Sequence, residues 1–560
     1  MTEAPVQIPT RTRVLHPAEL VQEMTYRDLE GLTVVFINMP LRESATPNTP
    51  PQGPGLLAAR LRQFGAEVSI VDLNAYRIKD ETAHLAGKAH GRHLTPKEAE
   101  GLLTRHFHRH GEPDIIALSG MITTLRWQEW ATAICRQLVP DAFIISGGGL
   151  ATEIKGGLFE WLPELDCVAH SEGDDILPIL AKDVLEAKRH QRRGMSHLHE
   201  CLGKIGGRTR FLYAGDRPRG LDRLPFAAWD LLHQDVDGNP IMEWYIKVPV
   251  WGLEANNSSA TSFQMNRSLT RVSSRGCPYA CAFCYRGAQG ERLYGMHSPG
   301  NIVQEALWLM ETYRIDFLGF NDDNFAVDPR RIKALPDAFE PLGGLRWGTH
   351  TRLDEAADER ADWMAEAGCI YIGFGAESAS PNVLERMNKG GFILRPRGAQ
   401  KNDLTRLNGF DFPTTMVQGI QNCQRVGIHA NCTWIMGYPG ETLRDLQTSV
   451  AFILWQEELV AKEAVNRKMF VATAYPGTAM FKDVACKQLL SYNFGISFHV
   501  DGEPVANEAL RAYILELDDA TKVMHGSDGA PLNFGEMPDD VFLQAREHVD
   551  TGQIERILDM

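Results

Sequence analysis

Short apolar runs recur along the chain, separated by stretches whose apolar positions fall three and four residues apart. LTVVFINMP (32–40) has strand character, GLLAARLRQFG has helical spacing and ends at Gly65, and AEVSIVDL is a second strand. PDIIALSG (113–120) and DAFIISGGG (141–149) flank the helical stretch RWQEWATAICRQLV, and DCVAHSEGDDILPIL adds one more strand and helix. Strand alternating with helix predicts an α/β fold with a doubly wound, mostly parallel Rossmann-like sheet.

The alternation stops near residue 184. LEAKRHQRRGMSHLHE and GDRPRGLDRLPFAAWDLL hold few long apolar runs, so 184–262 is expected to be a linker, with the basic piece Lys188 to Arg193 a solvated helix end. From about residue 267 the rhythm resumes with SLTRVSS, DFLGFNDD, LRWGTHTRL, CIYIGFGAES, IHANCTWIMG and MFVATAYPG, joined by helical segments such as NIVQEALWLMETY. Six such units predict a partial (β/α)6 barrel. Residues 391–413 interrupt it as a basic insertion, and the acidic tail carries no legible pattern. The expected division is an N-terminal arm (1–30), the Rossmann-like domain (31–183), the linker (184–262), the barrel (263–484) and a C-terminal extension (485–560).

Length and composition narrow the function. The 560 residues exceed one small domain, and 44% hydrophobic with 23% charged residues is a globular composition. A formal charge of −15 repels nucleic-acid phosphates, so no nucleic-acid partner is expected. No signal-peptide core or apolar stretch of roughly 20 residues is visible, so the expectation is a cytoplasmic protein without a membrane partner. Ten cysteines are too few for a disulfide scaffold. Seven are scattered and three are clustered.

The cluster lies in RVSSRGCPYACAFCYRG, directly after the first barrel strand: Cys277, Cys281 and Cys284, spaced Cys-x-x-x-Cys-x-x-Cys. Thiolates are soft ligands for iron–sulfur clusters or zinc. Three ligands on one loop leave one iron of a cubane open, whereas zinc calls for a second knuckle or a nearby histidine, and neither is present.

With this motif the chain resembles the radical S-adenosylmethionine (SAM) superfamily. The resemblance continues through FNDDNF (320–325), GFGAES (373–378), GYPGE (437–441) and AYPGT (474–478), each at the C-terminal end of a predicted strand. It implies a 4Fe–4S cluster on the three cysteines, whose open iron chelates SAM. It also implies SAM contacts from Tyr279, Asp322, Glu377 and Gly437, although Asp322 and Asp323 could equally tie loops together. The N-terminal domain resembles the cobalamin-binding domain that precedes the barrel in one branch of the superfamily. Ser119, Gly120, Gly147 and Gly148 then stand where that branch approaches the corrin and its nucleotide tail. The Asp-x-His-x-x-Gly signature of a histidine lower ligand is missing after the first strand, where NMPLRESATPNTPPQG stands. Asp80, His84 and Gly87 miss its spacing by one and follow the second strand, so they are expected at the surface.

The resemblance to cobalamin-dependent radical SAM methyltransferases implies methylation of a centre with no lone pair to offer. One SAM supplies the methyl through methylcobalamin and a second supplies a 5′-deoxyadenosyl radical. As a whole chain it resembles the P-methyltransferases of phosphinothricin-peptide antibiotic biosynthesis. C-methylation of an unactivated sp3 carbon, and ring-forming or oxygen-inserting chemistry on the same scaffold, stay open. The expected partners are a small-molecule substrate and an external one-electron reductant of flavodoxin or ferredoxin type. A non-catalytic cobalamin sensor sits poorly with the intact cysteines, and tRNA methylthiolation lacks its second cysteine triad. Arg395 and Arg397, with Lys401 and Arg406, suit phosphinate, phosphonate or carboxylate oxygens, or form a solvated basic loop. No catalytic side chain beyond these is legible.

Overall fold

The computed structural model describes residues 17–41, 49–77, 94–190, 199–205, 207–247, 265–285, 294–389, 403–460, 465–487, 489–490, 499–500, 503–504, 508–517, 523–526 and 528–560. Asp80, His84, Gly87, Arg395, Arg397 and Lys401 lie outside them.

Among the described residues the first sheet has seven strands: β1 (Thr33–Asn38), β2 (Glu67–Asp72), β3 (Ile115–Ser119), β4 (Phe143–Gly147), β5 (Cys167–His170), β6 (His199–Ile205) and β7 (Arg208–Ala214). Their order is β2-β1-β3-β4-β5-β7-β6, parallel throughout except for the antiparallel β6–β7 pair. Both faces are covered, as parallel strands require. Val34 and Phe36 pack toward helices 52–62 and 173–190, while Val35 and Ile37 pack toward helices 96–110 and 125–138. The strand order reverses between β1 and β3, which opens a crevice at their C-terminal ends.

The expected linker is corrected here. Helix 173–190 runs past residue 184, and β7 joins β5 in parallel with β6 outside it, so the helix end and the strands 199–205 and 208–214 belong to the first domain. The sequence hid this because RTRFLYA reads as half-polar: β7 sits near the sheet edge, where one face takes polar side chains.

The second half contributes β8 (Ser268–Arg271), β9 (Ser274–Arg275), β10 (Gly295–Met296), β11 (Phe317–Phe320), β12 (Arg346–Thr351), β13 (Cys369–Glu377), β14 (Leu404–Leu407), β15 (Phe410–Pro413), β16 (His429–Met436) and β17 (Met469–Val471). Six of these, β8-β11-β12-β13-β16-β17, form one parallel sheet in chain order, the expected partial barrel. Hydroxyl or carboxylate caps open the returning helices at Ser298, Asp328, Ser380, Thr442 and Thr478, which makes the strand-to-helix turns rigid. Leu269, Leu318, Phe320, Trp347, Ile372, Phe374 and Trp434 belong to the core shared with those helices. By alternation Thr270, Gly319, Gly348, His350, Gly373 and Gly375 face the concave side, where four glycines keep the lumen open. Part of the basic insertion forms the β14–β15 hairpin, with Arg406 paired to Asp411 on its exposed surface.

The tail closes over both halves. Tyr513 donates to the carbonyl of Ala474 (2.7 Å), Arg511 pairs with Glu129 of the first domain (2.6 Å), and Phe542 packs in the barrel core. No helix among the described residues is long and apolar enough to cross a membrane.

Candidate active site at the junction of sheet and barrel

A cavity of about 420 Å³ lies at the C-terminal edge of the first sheet. Its floor includes Phe36, Ala117, Ser119, Ile145, Gly147, Gly148 and Thr152, and its roof is Val272, Arg275 and Tyr285 from the barrel's cysteine loop. Three of the four residues expected at cobalamin therefore line one space. The fourth, Gly120, is not among the lining residues, and a Cβ there would run into Thr124 and Gln128. Gly148 has φ 86° and ψ −161°, a conformation that essentially only glycine adopts, and a Cβ there would sit 2.6 Å from the Gly120 carbonyl oxygen. Gly148→Ala is expected to cost about 1–3 kcal/mol and to shift the cavity floor, measured as a lower urea midpoint together with weaker cobalamin uptake.

Two buried polar atoms in the cavity wall have no protein partner. Gln52 Nε2 reaches Thr270 Oγ1 of β8 (3.4 Å), but its Oε1 is unmatched, as is the Tyr285 hydroxyl. Leaving such groups unpaired costs free energy, so the wall is built for a ligand with polar groups on its rim.

The roof is pinned from both sides. Arg275 Nη1 pairs with Glu172 (2.7 Å) and Asp174 (2.6 Å) of the turn after β5, and Arg217 also pairs with Glu172 (3.2 Å). Burial pushes the Asp174 carboxyl up, but the charge and hydrogen bonds of Arg275 outweigh it and hold the group below its ordinary value. On the barrel side Ala282 N–H donates to the Met387 carbonyl (2.8 Å), Met480 N–H to Ala282 (2.7 Å) and Asn388 Nδ2 to Ala280 (2.9 Å). The loop thus presents Cys277 half-buried, Cys281 buried and Cys284 exposed. Burial, with the neighbouring Cys281, pushes the Cys277 thiol up. Three soft donors on one anchored loop fit an iron–sulfur cluster.

The residues expected at SAM divide. Glu377 ends β13 with φ 64°, a strained conformation for a residue other than glycine, and pairs with the half-buried Lys389 (3.3 Å). Tyr279 donates to Glu355 (2.8 Å) beneath the Arg352 guanidinium, which leaves its hydroxyl engaged. Asp322 takes the loop-tying place that the sequence also allowed: its buried carboxylate accepts from Ser273 N–H (2.5 Å), Ser273 Oγ (2.7 Å) and Ser274 Oγ (2.6 Å), which ties the strand end. Gly437 (φ 73°) is required by packing, because a Cβ there would lie 2.7 Å from Phe542 Cε2. The sequence reading missed Gln52, Glu172, Asp174, Arg275, Tyr285 and Arg352. Only Arg275, two residues before the first cysteine, carried a signal, namely a charge inside the motif.

Glu441 of GYPGE is fully buried, with Oε2 accepting from Gly437 N–H (2.5 Å) and Oε1 unmatched. Burial pushes its carboxyl up from 4.5 to about 8 against the lowering effect of that N–H. The folded state thus keeps a proton that the unfolded state releases. Stability is expected to fall as pH rises from about 4.5 to 8, by at most about 1.4 kcal/mol per pH unit. Glu441→Gln should flatten that slope in urea unfolding across the window.

Residues 272–453 match the family model of the Radical SAM superfamily, which places the cysteine loop and most of the barrel in a radical SAM domain. Such a domain works with a 4Fe–4S cluster and SAM. An uncharacterized methyltransferase of Pyrococcus horikoshii is 24% identical over 390 residues, 68% of this chain and 71% of that protein. The cytidylyl-2-hydroxyethylphosphonate methyltransferase of Streptomyces wedmorensis is 24% identical over 432 residues, 72% of each chain. In three dimensions the chain is similar to the cobalamin-dependent SAM radical enzyme OxsB, solved with aqua-cobalamin and SAM. That match has a TM-score of 0.58 at 17% identity and covers 86% of this chain and 64% of that one. The expected fold class is borne out: an α/β chain with a parallel sheet preceding a radical SAM barrel.

Proposed function

We propose that this protein is a cobalamin-dependent radical SAM methyltransferase, and that its substrate is a phosphinate, N-acetyldemethylphosphinothricin, methylated at phosphorus. One observation carries the reading: the cavity at the sheet edge is roofed by the cysteine loop itself, so a corrin seated on Ser119, Gly147 and Gly148 would lie against the cluster loop. When bound, the cluster supplies the electron that splits SAM, and the corrin supplies the methyl carrier.

The chain's own residues have three tasks. Glu172, Asp174 and Arg275 hold the roof over the floor. Gln52 Oε1 and the Tyr285 hydroxyl, both unmatched in the cavity wall, would meet polar groups of a bound corrin. The glycine-faced lumen, flanked by His350 and by the Glu377–Lys389 pair, leaves room for SAM and substrate while the surrounding apolar core excludes water. The likeness to a phosphonate methyltransferase supports a phosphorus-bearing substrate. The basic insertion with Arg395 and Arg397 suits its oxygens, and those two residues lie outside the described residues.

Anaerobically reconstituted protein, given methyl-labelled SAM, a one-electron reductant and the phosphinate, is expected to yield a product whose phosphorus NMR signal has lost its P–H splitting and couples to the labelled methyl. Retention of the splitting, with label on a carbon of another acceptor, would overturn the phosphorus assignment in favour of C-methylation. Formation of 5′-deoxyadenosine with no label transferred to any acceptor would overturn methyl transfer altogether.

A further inference from the structure

Arg352 follows β12 and is almost wholly buried. Nε and Nη2 form a fork on Asp354 (3.0 and 3.2 Å), Nη2 also donates to the Lys389 carbonyl (2.6 Å), and the guanidinium stacks over the Tyr279 ring at 4.5 Å from its centroid. These contacts leave little rotational freedom. Nη1 is thereby aimed at Cys281 Sγ, 3.8 Å away.

We propose that Arg352 tunes the reduction potential of the iron–sulfur cluster through an N–H···S hydrogen bond to Cys281, with Asp354 setting how much of the guanidinium charge the cluster feels. The inference rests on the reading that the three cysteines hold that cluster. A reduced cluster carries one more negative charge than an oxidised one. A donor on a ligating sulfur therefore stabilises the reduced form more, and the potential rises. Water is excluded around this pair, so the interaction is weakly screened. Asp354 offsets most of the net charge on the side away from Cys281. What reaches the sulfur is mainly an N–H dipole, and removing the carboxylate's charge would uncover the cation.

The two partners should thus act with opposite sign, which a purely structural role does not produce. The experiment is an EPR-monitored redox titration of the reconstituted full chain without SAM, with iron and sulfide measured on each sample. Arg352→Gln is expected to shift the midpoint to more negative potential, Arg352→Lys by less, and Asp354→Asn to more positive potential. A full cluster at the parent's midpoint in Arg352→Gln or in Asp354→Asn overturns the proposal. If Arg352→Gln assembles no cluster, Asp354→Asn decides it: a positive shift supports the tuning role, and an unchanged or negative one overturns it. If the parent itself takes up no iron and sulfide, it is the cluster reading that fails, a result distinct from an unshifted midpoint.

Discussion

Cys281→Ala abolishes reductive SAM cleavage and sharply lowers the iron held per chain: that is the expected result of removing the one buried thiol of the three. The three cysteines are not equivalent. Cys284 is exposed, and loss of its sulfur leaves a position that water or an added thiol can reach. Cys281 lies under the loop against Arg352, so its loss removes a ligand and leaves a buried guanidinium N–H facing a void. The carboxylates on the Arg352 side, Asp354 and Glu355, are already engaged, accepting from Arg352, Tyr279, Asn324 and Thr351. Small thiols added during reconstitution should therefore rescue Cys284→Ala in part and Cys281→Ala hardly at all. Iron and sulfide analysis with chromatographic assay of 5′-deoxyadenosine reads both outcomes. A Cys281→Ala chain with parental iron and cleavage would sink the assignment of the triad.

How much of this was legible in sequence follows from the range of the interactions involved. The strands of both sheets were readable because parallel strands buried on two faces are written as continuous apolar runs, as in TVVFIN and CIYIGF. The cysteine loop was readable because its chemistry is local. β7 was missed because a strand next to the sheet edge carries polar side chains, and its partner β5 lies some 40 residues earlier, beyond any local pattern. The role of Asp322 was not legible because the signal that a carboxylate sits at a strand end does not say whether serines beyond the end of the neighbouring strand β8, here Ser273 and Ser274, already occupy it. Gly437 is ambiguous in the same way, because a turn glycine looks the same in sequence whether a ligand or a side chain such as Phe542 approaches it. Gln52 and Tyr285 were silent because an unmatched buried atom exists only once the two halves are docked.

That docking is the source of the second large effect. Arg275→Met is expected to destabilise the chain by about 3–5 kcal/mol, the usual cost of removing one partner of a buried ion pair and leaving the other uncompensated. Asp174 then loses both of its close contacts with Arg275 (2.6 and 3.0 Å), whereas Glu172 keeps Arg217, which puts the cost toward the lower end of that range. The Asp174 carboxyl, now held down by Arg275, should move up once the guanidinium is gone. Its depressed folded value contributes stability that is present above the ordinary 3.8 and lost as pH falls through the folded pKa, so the variant should lack that part of the acid dependence. Adding Asp174→Asn to Arg275→Met should recover much of the loss, since the stranded charge disappears with it, and the two substitutions should be strongly non-additive. The functional consequence follows from position. Arg275 is in the same loop as Cys277 and lines the cavity, so loosening it separates roof from floor while leaving the barrel strands intact. Cobalamin affinity, read by absorbance, should therefore fall more than iron content does. Parental urea stability in Arg275→Met, or equal losses of iron and cobalamin, would show that the pairing of Glu172 and Asp174 with Arg275 is not what holds the cysteine loop above the sheet.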